Sequence, residues 1–167
     1  MEILPFQLKD QKRVLKLYKN VTRDLRSKDN DQWDHFYPNR IVIKRDLTNQ
    51  SLYGIIEDDL VIGAVVIDGV QNEKYEKIRW HDHSGIAACI HRLAVQPQSQ
   101  GKGIGKELLN FAEQQARSLG YTSIRLDVYS KNIEAVGMYT KNGYVNRGMI
   151  NFPLRKLPFY CLEKQLK

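Results

Sequence analysis

A chain of 167 residues, 42% hydrophobic and 27% charged, has the size and composition of one globular domain with a single core. No apolar run approaches the ~20 residues of a membrane span, and MEILPFQLKDQKR lacks the basic-then-apolar order of a secretory leader. The net charge of +7 admits an anionic cofactor, nucleic acid or an acidic partner, but the basic residues are scattered, so the excess reads as general surface bias, with nucleic-acid binding secondary.

Ile3 to Phe6 reads as a short first strand. Asp10 is placed to cap a helix whose apolar positions are Val14, Leu17, Tyr18, Val21 and Leu25. After the polar segment from Ser27 to Trp33, Asn39 is an N-cap candidate for a second helix through Leu47, although Ile41-Val42-Ile43 is β-branched. Leu52 to Glu57 and Leu60 to Asp68 are expected strands, joined by a hairpin turn at Asp58-Asp59. A polar segment covers Gln71 to Ser84, and Ile86 to Val95 is a long apolar strand. A glycine-rich turn follows. Behind it Leu108, Leu109, Ala112, Ala116 and Leu119 recur on one helix face that ends at Gly120. Ser123 to Tyr129 is a strand, Asn132 opens a short helix ending at Asn142-Gly143, and Tyr144 to Asn151 and Phe159 to Leu166 are the last strands. Cys89 and Cys161 lie in apolar, strand-like surroundings and read as reduced, buried thiols of a cytoplasmic protein.

Strands in succession argue for antiparallel neighbours, and a strand–helix–strand crossover argues for one parallel pair. The expected architecture is a mixed α+β fold over residues 1–167. Its mostly antiparallel sheet has six to seven strands with one parallel pair, and about four helices flank it.

The stretch Gln100-Gly101-Lys102-Gly103-Ile104-Gly105-Lys106 lies between a strand and a helix. Its glycines permit positive φ and close backbone approach. Its amides, with those of the new helix's first turn, make a seat for a pyrophosphate, and Lys102 and Lys106 add charge. A Walker loop would need Ser or Thr after Gly105-Lys106, where Glu107 stands, and a glycine where Gln100 stands. A dinucleotide fingerprint would need glycines spaced two and then three, whereas Gly101, Gly103 and Gly105 are spaced two and two. What remains is Gln-x-x-Gly-x-Gly.

A second stretch, Asn132 to Tyr144, sets Asn132, Ala135 and Tyr139 three and four residues apart on one helix face. By itself this could be a core helix with a buried tyrosine and a glycine stop. Placed after Gln-x-x-Gly-x-Gly, the pair resembles the acyl-CoA site of the GNAT superfamily of N-acetyltransferases, and the likeness covers nearly the whole chain. The departures are Gln100, where arginine is commoner, and Gly137 in mid-helix, costing about 1 kcal/mol against alanine.

The resemblance implies an enzyme that moves an acetyl group from acetyl-CoA directly to a primary amine in a ternary complex, without an acyl-enzyme. It implies a cofactor seat of Leu93, Ala94 and Val95 beside the pantetheine arm, Gln100, Gly101, Lys102, Gly103, Ile104, Gly105 and Lys106 under the phosphates, and Asn132, Ala135 and Tyr139. A backbone N–H of the Leu93–Val95 strand would polarise the thioester carbonyl. Tyr139 would serve as the acid for the leaving thiolate.

For the base, His91 stands two residues before Leu93 and shares its face if the strand is regular; its intrinsic pKa suits the task. Glu57 and a water relay are the alternatives. A packed strand histidine is an equal reading of His91. The acceptor, a small-molecule or peptide amine, is expected near Gln32 to Tyr37 and Gln71 to Ser84, although Trp33, Phe36 and Tyr37 could instead anchor their loop. His81-Asp82-His83 lacks a third ligand at a defined spacing, so no metal is expected and a solvated loop is the better reading. Rival readings are an acyl-CoA sensor without turnover and a basic nucleic-acid or ribosome-associated module. A homodimer through the last strands is compatible with the pattern.

Overall fold

The computed structural model describes residues 1–167. Its elements are β1 (Leu4–Pro5), α1 (Gln11–Ser27), α2 (Arg40–Thr48), β2 (Leu52–Glu57), β3 (Leu60–Asp68), β4 (Ala87–Val95), α3 (Ile104–Ser118), β5 (Ser123–Tyr129), α4 (Ile133–Lys141), β6 (Val145–Ile150) and β7 (Phe159–Gln165). The seven strands form one sheet in the order β1-β2-β3-β4-β5-β7-β6. The β4–β5 pair is parallel, while β1–β2, β2–β3, β5–β7 and β6–β7 are antiparallel. The mixed α+β sheet with one parallel pair and four α-helices is the architecture the sequence predicts.

The chain divides into two compact units. One holds Met1–Val66 and Arg92–Ala112, the other Ile67–His91 and Glu113–Lys167. In the first unit, α1 buries Val14, Leu17, Tyr18 and Val21 at its predicted spacing. These pack with Phe6, Trp33, Ile43, Leu47, Leu52 and strand residues into one apolar cluster. Asp58 and Asp59 have φ of 48° and 63°, the left-handed pair that a tight hairpin turn demands. Asn39 caps α2 by accepting from the Val42 amide at 3.0 Å. The cap and burial of Ile43 and Leu47 outweigh the strand preference of Ile41-Val42-Ile43. Asp10 behaves otherwise than the sequence predicts. Its carboxylate accepts from the Gln7 amide at 2.9 Å, so it closes the short 3-10 turn Leu8–Asp10 and makes no side-chain cap on α1.

In the second unit, β5 runs in full register against β7, from Ser123↔Gln165 to Tyr129↔Phe159. Tyr75, Trp80, Cys89, Tyr129, Ile150, Phe159 and Cys161 form its apolar cluster, with both cysteines buried and free. Lys164 on β7 holds the largely buried Glu113 at 2.8 and 2.9 Å. On α3 the apolar face is as predicted except for Leu119, which lies beyond the helix end and is 62% exposed.

Candidate active site

The turn between β4 and α3 is built from its neighbours. Gln96 is buried: its amide donates to the Ile62 carbonyl at 2.8 Å, and its side-chain oxygen accepts from Asn20 at 3.1 Å. Gln100 reaches back to donate to the Val95 carbonyl at 3.2 Å. The chain then turns through Gly101 at φ 77° and Gly103 at φ 83°, and nothing lies within 4 Å of where a Cβ on either would stand. The first backbone hydrogen bond of the new helix runs from Glu107 N–H to the Gly103 carbonyl at 3.1 Å. The amides of Ile104, Gly105 and Lys106 stand ahead of it, in the first turn where a helix has no acceptor of its own for them. They stand at the positive end of a 15-residue helix, with Lys102 and Lys106 exposed beside them. Ile104 is buried, so it brings a backbone amide and a core side chain together. Its Cγ2 and a Leu108 methyl lie 3.0 and 2.9 Å from where a Cβ on Gly63 would sit, so β3 needs glycine there to let the helix this close.

β4 is irregular just before Leu93. Arg92 has φ 49°, a left-handed conformation for a non-glycine residue in mid-strand. Its guanidinium contacts the buried Asp46 carboxylate at 2.6 and 3.1 Å and donates to the Tyr37 hydroxyl at 2.9 Å. Its carbonyl accepts from Tyr18 at 2.8 Å. The regular strand that would put His91 and Leu93 on one face is therefore not what the chain adopts. The ladder between β4 and β5 pairs Ala87↔Ser123, Ala88↔Ile124 and Cys89↔Arg125. Leu93 and Val95 are half-buried, and Ala94 is buried.

In the second unit, Asn132 caps α4 through the Ala135 amide at 3.2 Å. Tyr139, two turns along, is only 6% exposed, and its ring meets Tyr144 edge-on at 5.5 Å. Burial, and secondarily the Asp127 carboxylate, push its phenol pKa well up, so it keeps its proton through the neutral range. Asp127 accepts from the Tyr75 hydroxyl at 2.6 Å. His91 is engaged as well: its Nε2 lies 3.0 Å from Asp68 Oδ1, with both side chains 21% exposed. Glu57, the second base candidate, is exposed at the end of β2.

The loops differ in use. Trp33 is buried edge-on to Tyr18 at 5.6 Å and Tyr37 holds Arg92, so both are anchors, whereas Phe36 is 76% exposed. The His81-Asp82-His83 segment is more than a solvated loop. The His81 and Asp82 amides donate to the buried Glu163 at 2.7 and 3.2 Å. Asp82 accepts from Thr122, Ser123 and the Gly85 amide, and these hydrogen bonds, Thr122's foremost, hold its carboxyl below the usual carboxylate range. No three His, Cys, Asp or Glu side chains are grouped as metal ligands. A cavity of about 350 Å³ opens along the stretch just before it, lined by Gln71, Glu73, Tyr75, Glu76, Trp80 and Arg125 among others.

Arg92, Asp46, Tyr18, Asp127 and Tyr75 are contributors that sequence reasoning does not find. Their contacts join residues 46 to 74 positions apart, and no local pattern announces such pairs. One signal was present: Arg125 and Asp127 alternate with Ile124, Leu126 and Val128 in β5, marking a strand face with polar business.

A mixed sheet whose strand feeds a glycine turn and then a helix start is an arrangement that can accept an anion at the first-turn amides. The chain belongs to the acetyltransferase (GNAT) family, whose sequence model matches residues 15–144. It is 26% identical over 110 residues to the streptothricin acetyltransferase of Escherichia coli, a match covering 66% of this chain and 56% of that one. The chain thus spans about half the length of the curated relatives it matches. Its fold is shared with a GNAT-family acetyltransferase from Streptococcus agalactiae (TM-score 0.85, 20% identity, 99% of this chain and 95% of that one). It is shared too with the PaiA N-acetyltransferase of Thermoplasma acidophilum, solved with coenzyme A (TM-score 0.72, 18% identity, 98% of each chain).

Proposed function

We propose that the 167 residues form one acetyl-CoA-dependent N-acetyltransferase domain that transfers the acetyl group directly to a primary amine. The observation that carries this reading is the turn through two left-handed glycines, Gly101 and Gly103, with open space where a Cβ on either would stand, leading into the first-turn amides of α3, in a chain of the acetyltransferase family. These amides, with Lys102 and Lys106, suit a pyrophosphate, and Leu93, Ala94 and Val95 offer backbone groups to the amide-rich arm. The family resemblance assigns Asn132, Ala135 and Tyr139 to the cofactor as well.

Acetyl-CoA supplies an activated thioester carbonyl. The amine nitrogen bonds to that carbon, the carbon–sulfur bond breaks, and the thiolate must gain a proton while the amine must lose one. Tyr139 gives the first proton. The thiolate of a thiol with pKa ~8.5 is a weaker base than a phenolate, and burial raises the phenol further, so transfer from Tyr139 is uphill: its hydroxyl first donates a hydrogen bond to the departing sulfur, and the phenolate left by any transfer regains a proton from those the amine releases. His91 takes the second proton. Asp68 beside it, 3.0 Å from Nε2, holds the orientation of the ring. The acceptor is a small-molecule or peptide amine, and the protein works in the cytoplasm.

The test is thiol release from acetyl-CoA across polyamines, amino acids, aminoglycosides and short peptides. Amine-dependent release is expected. Tight acetyl-CoA binding with no release under any amine would make the chain a sensor instead. Absence of binding would overturn the reading.

A further inference from the structure

Arg92 holds a backbone conformation that L side chains rarely adopt, and such a bend persists only where the surroundings enforce it. Three elements enforce it here. From α1, the Tyr18 hydroxyl donates to the Arg92 carbonyl at 2.8 Å. From α2, Asp46 holds the guanidinium at 2.6 and 3.1 Å. From the loop before α2, Tyr37 accepts from it at 2.9 Å. The Arg92 side chain is 7% exposed and that of Asp46 3% exposed, so neither charge has enough water to replace its partner.

The contact of Tyr18 bears on one peptide group. A peptide is planar and trans, so the Arg92 carbonyl and the Leu93 N–H lie in one plane and point in opposite directions. Fixing the carbonyl fixes the direction of the N–H. The anchor is stiff, because Tyr18 is wholly buried and its ring packs edge-on against Trp33 at 5.6 Å. Its hydroxyl stays protonated, since burial drives the phenol pKa far up.

We propose that Tyr18 and the Arg92–Asp46–Tyr37 cluster are positioning groups that aim the Leu93 amide at the acyl carbonyl, so that loosening them lowers turnover more than cofactor affinity. The proposal rests on the acetyltransferase reading. A donor preorganised toward developing charge contributes to rate in proportion to its aim, and removing one outright costs ~10²–10³. A donor left in place but free to swing costs less, about tenfold by the same scale.

Arg92→Ala would take from the buried Asp46 carboxylate its nearest cation and threatens folding itself, so the test deletes single hydroxyls. Tyr18→Phe and Tyr37→Phe are compared with wild type by kcat, by acetyl-CoA affinity in calorimetry, by thermal melting, and by hydrogen–deuterium exchange of the peptide spanning residues 90–96. Tyr18→Phe is expected to stay folded, to lose about tenfold in kcat, to keep acetyl-CoA affinity within about twofold, and to exchange faster over residues 90–96. Tyr37→Phe is expected to show the same pattern more weakly. A lowered melting temperature with wild-type kcat and wild-type exchange would mean a purely structural contact and would overturn the proposal, as would a kcat loss matched by an equal loss of affinity. A wild-type protein silent with every amine would end the acyl-transfer role together with the acetyltransferase reading. Exchange over 90–96 would still decide whether Tyr18 holds the peptide.

Discussion

Tyr139 and Gly103 carry the sharpest consequences at the scale of single residues. Tyr139→Phe keeps the ring that packs on Tyr144 and removes only the hydroxyl. It should fold normally and lose about 10²-fold in kcat, the low end for acid–base catalysis. Steady-state kinetics check this, and wild-type turnover would remove Tyr139 from the mechanism. Gly103 sits at φ 83° with open space where a Cβ would stand. Gly103→Val puts a branched side chain into that space and into a backbone region it resists. Acetyl-CoA affinity should fall at least tenfold in calorimetry, and unchanged affinity would clear the turn of any role in phosphate binding. Both residues were legible because each belongs to a short local spacing. Arg92 was not. It reads as an ordinary strand residue until the fold brings up Asp46, Tyr37 and Tyr18. His91 lies between these cases: the histidine is visible in sequence, its partner Asp68, 23 positions away, is not.

At the scale of elements, α4 and the segment before β4 make separate predictions. Asn132 both caps α4 and is a candidate cofactor contact. Asn132→Ala should cost about 1 kcal/mol, a fall of roughly 2–4 °C in Tm for a chain of this size, and it should weaken acetyl-CoA binding as well. Thermal melts with and without acetyl-CoA separate the two effects. Asp82 joins its own segment to the start of β5. Its folded-state pKa lies below the unfolded value of 3.8, through hydrogen bonds led by Thr122's. Its contribution is therefore complete above that value and is lost as pH falls through the lower, folded one. Asp82→Asn should melt below wild type at neutral pH, and the gap should close as pH is taken below 3.8. A gap independent of pH would contradict the assignment. Helices and strands here were legible from period and caps, because apolar faces such as Leu108, Leu109, Ala112 and Ala116 obey one register. The misplaced details were ends. Asp10 closes a 3-10 turn one step before α1, and Leu119 falls past the last turn of α3. Capping chemistry places a helix start to within a residue or two, not to the residue. The bend in β4 was illegible for another reason, since HRLAV carries no glycine to announce a positive φ.

For the whole molecule, the mixed α+β sheet with its one parallel pair and the GNAT family were within reach of the sequence, because two spaced motifs fixed the central crossover, whereas the insertion of β7 between β5 and β6 was not. The acceptor was not. The loop Gln71–Ser84, one of those expected to border it, has polar residues that look merely solvated in sequence but line a cavity and hold Glu163 in the fold. Base catalysis belongs at this scale too, because it couples the acceptor's protonation to the enzyme's. If His91 is the base, kcat/KM should rise as pH is raised, because a general base must first lose its own proton. His91→Ala should remove that rise, and a profile indifferent to the substitution would exclude His91. The central claim is direct transfer of an acetyl group from acetyl-CoA to an amine. Following a labelled acetyl group tests it most directly. The account predicts that label leaves acetyl-CoA only when amine is present, arrives on the amine one for each thiol released, and is never found on the protein. Label retained on the protein, or released as acetate without reaching any amine, would contradict it.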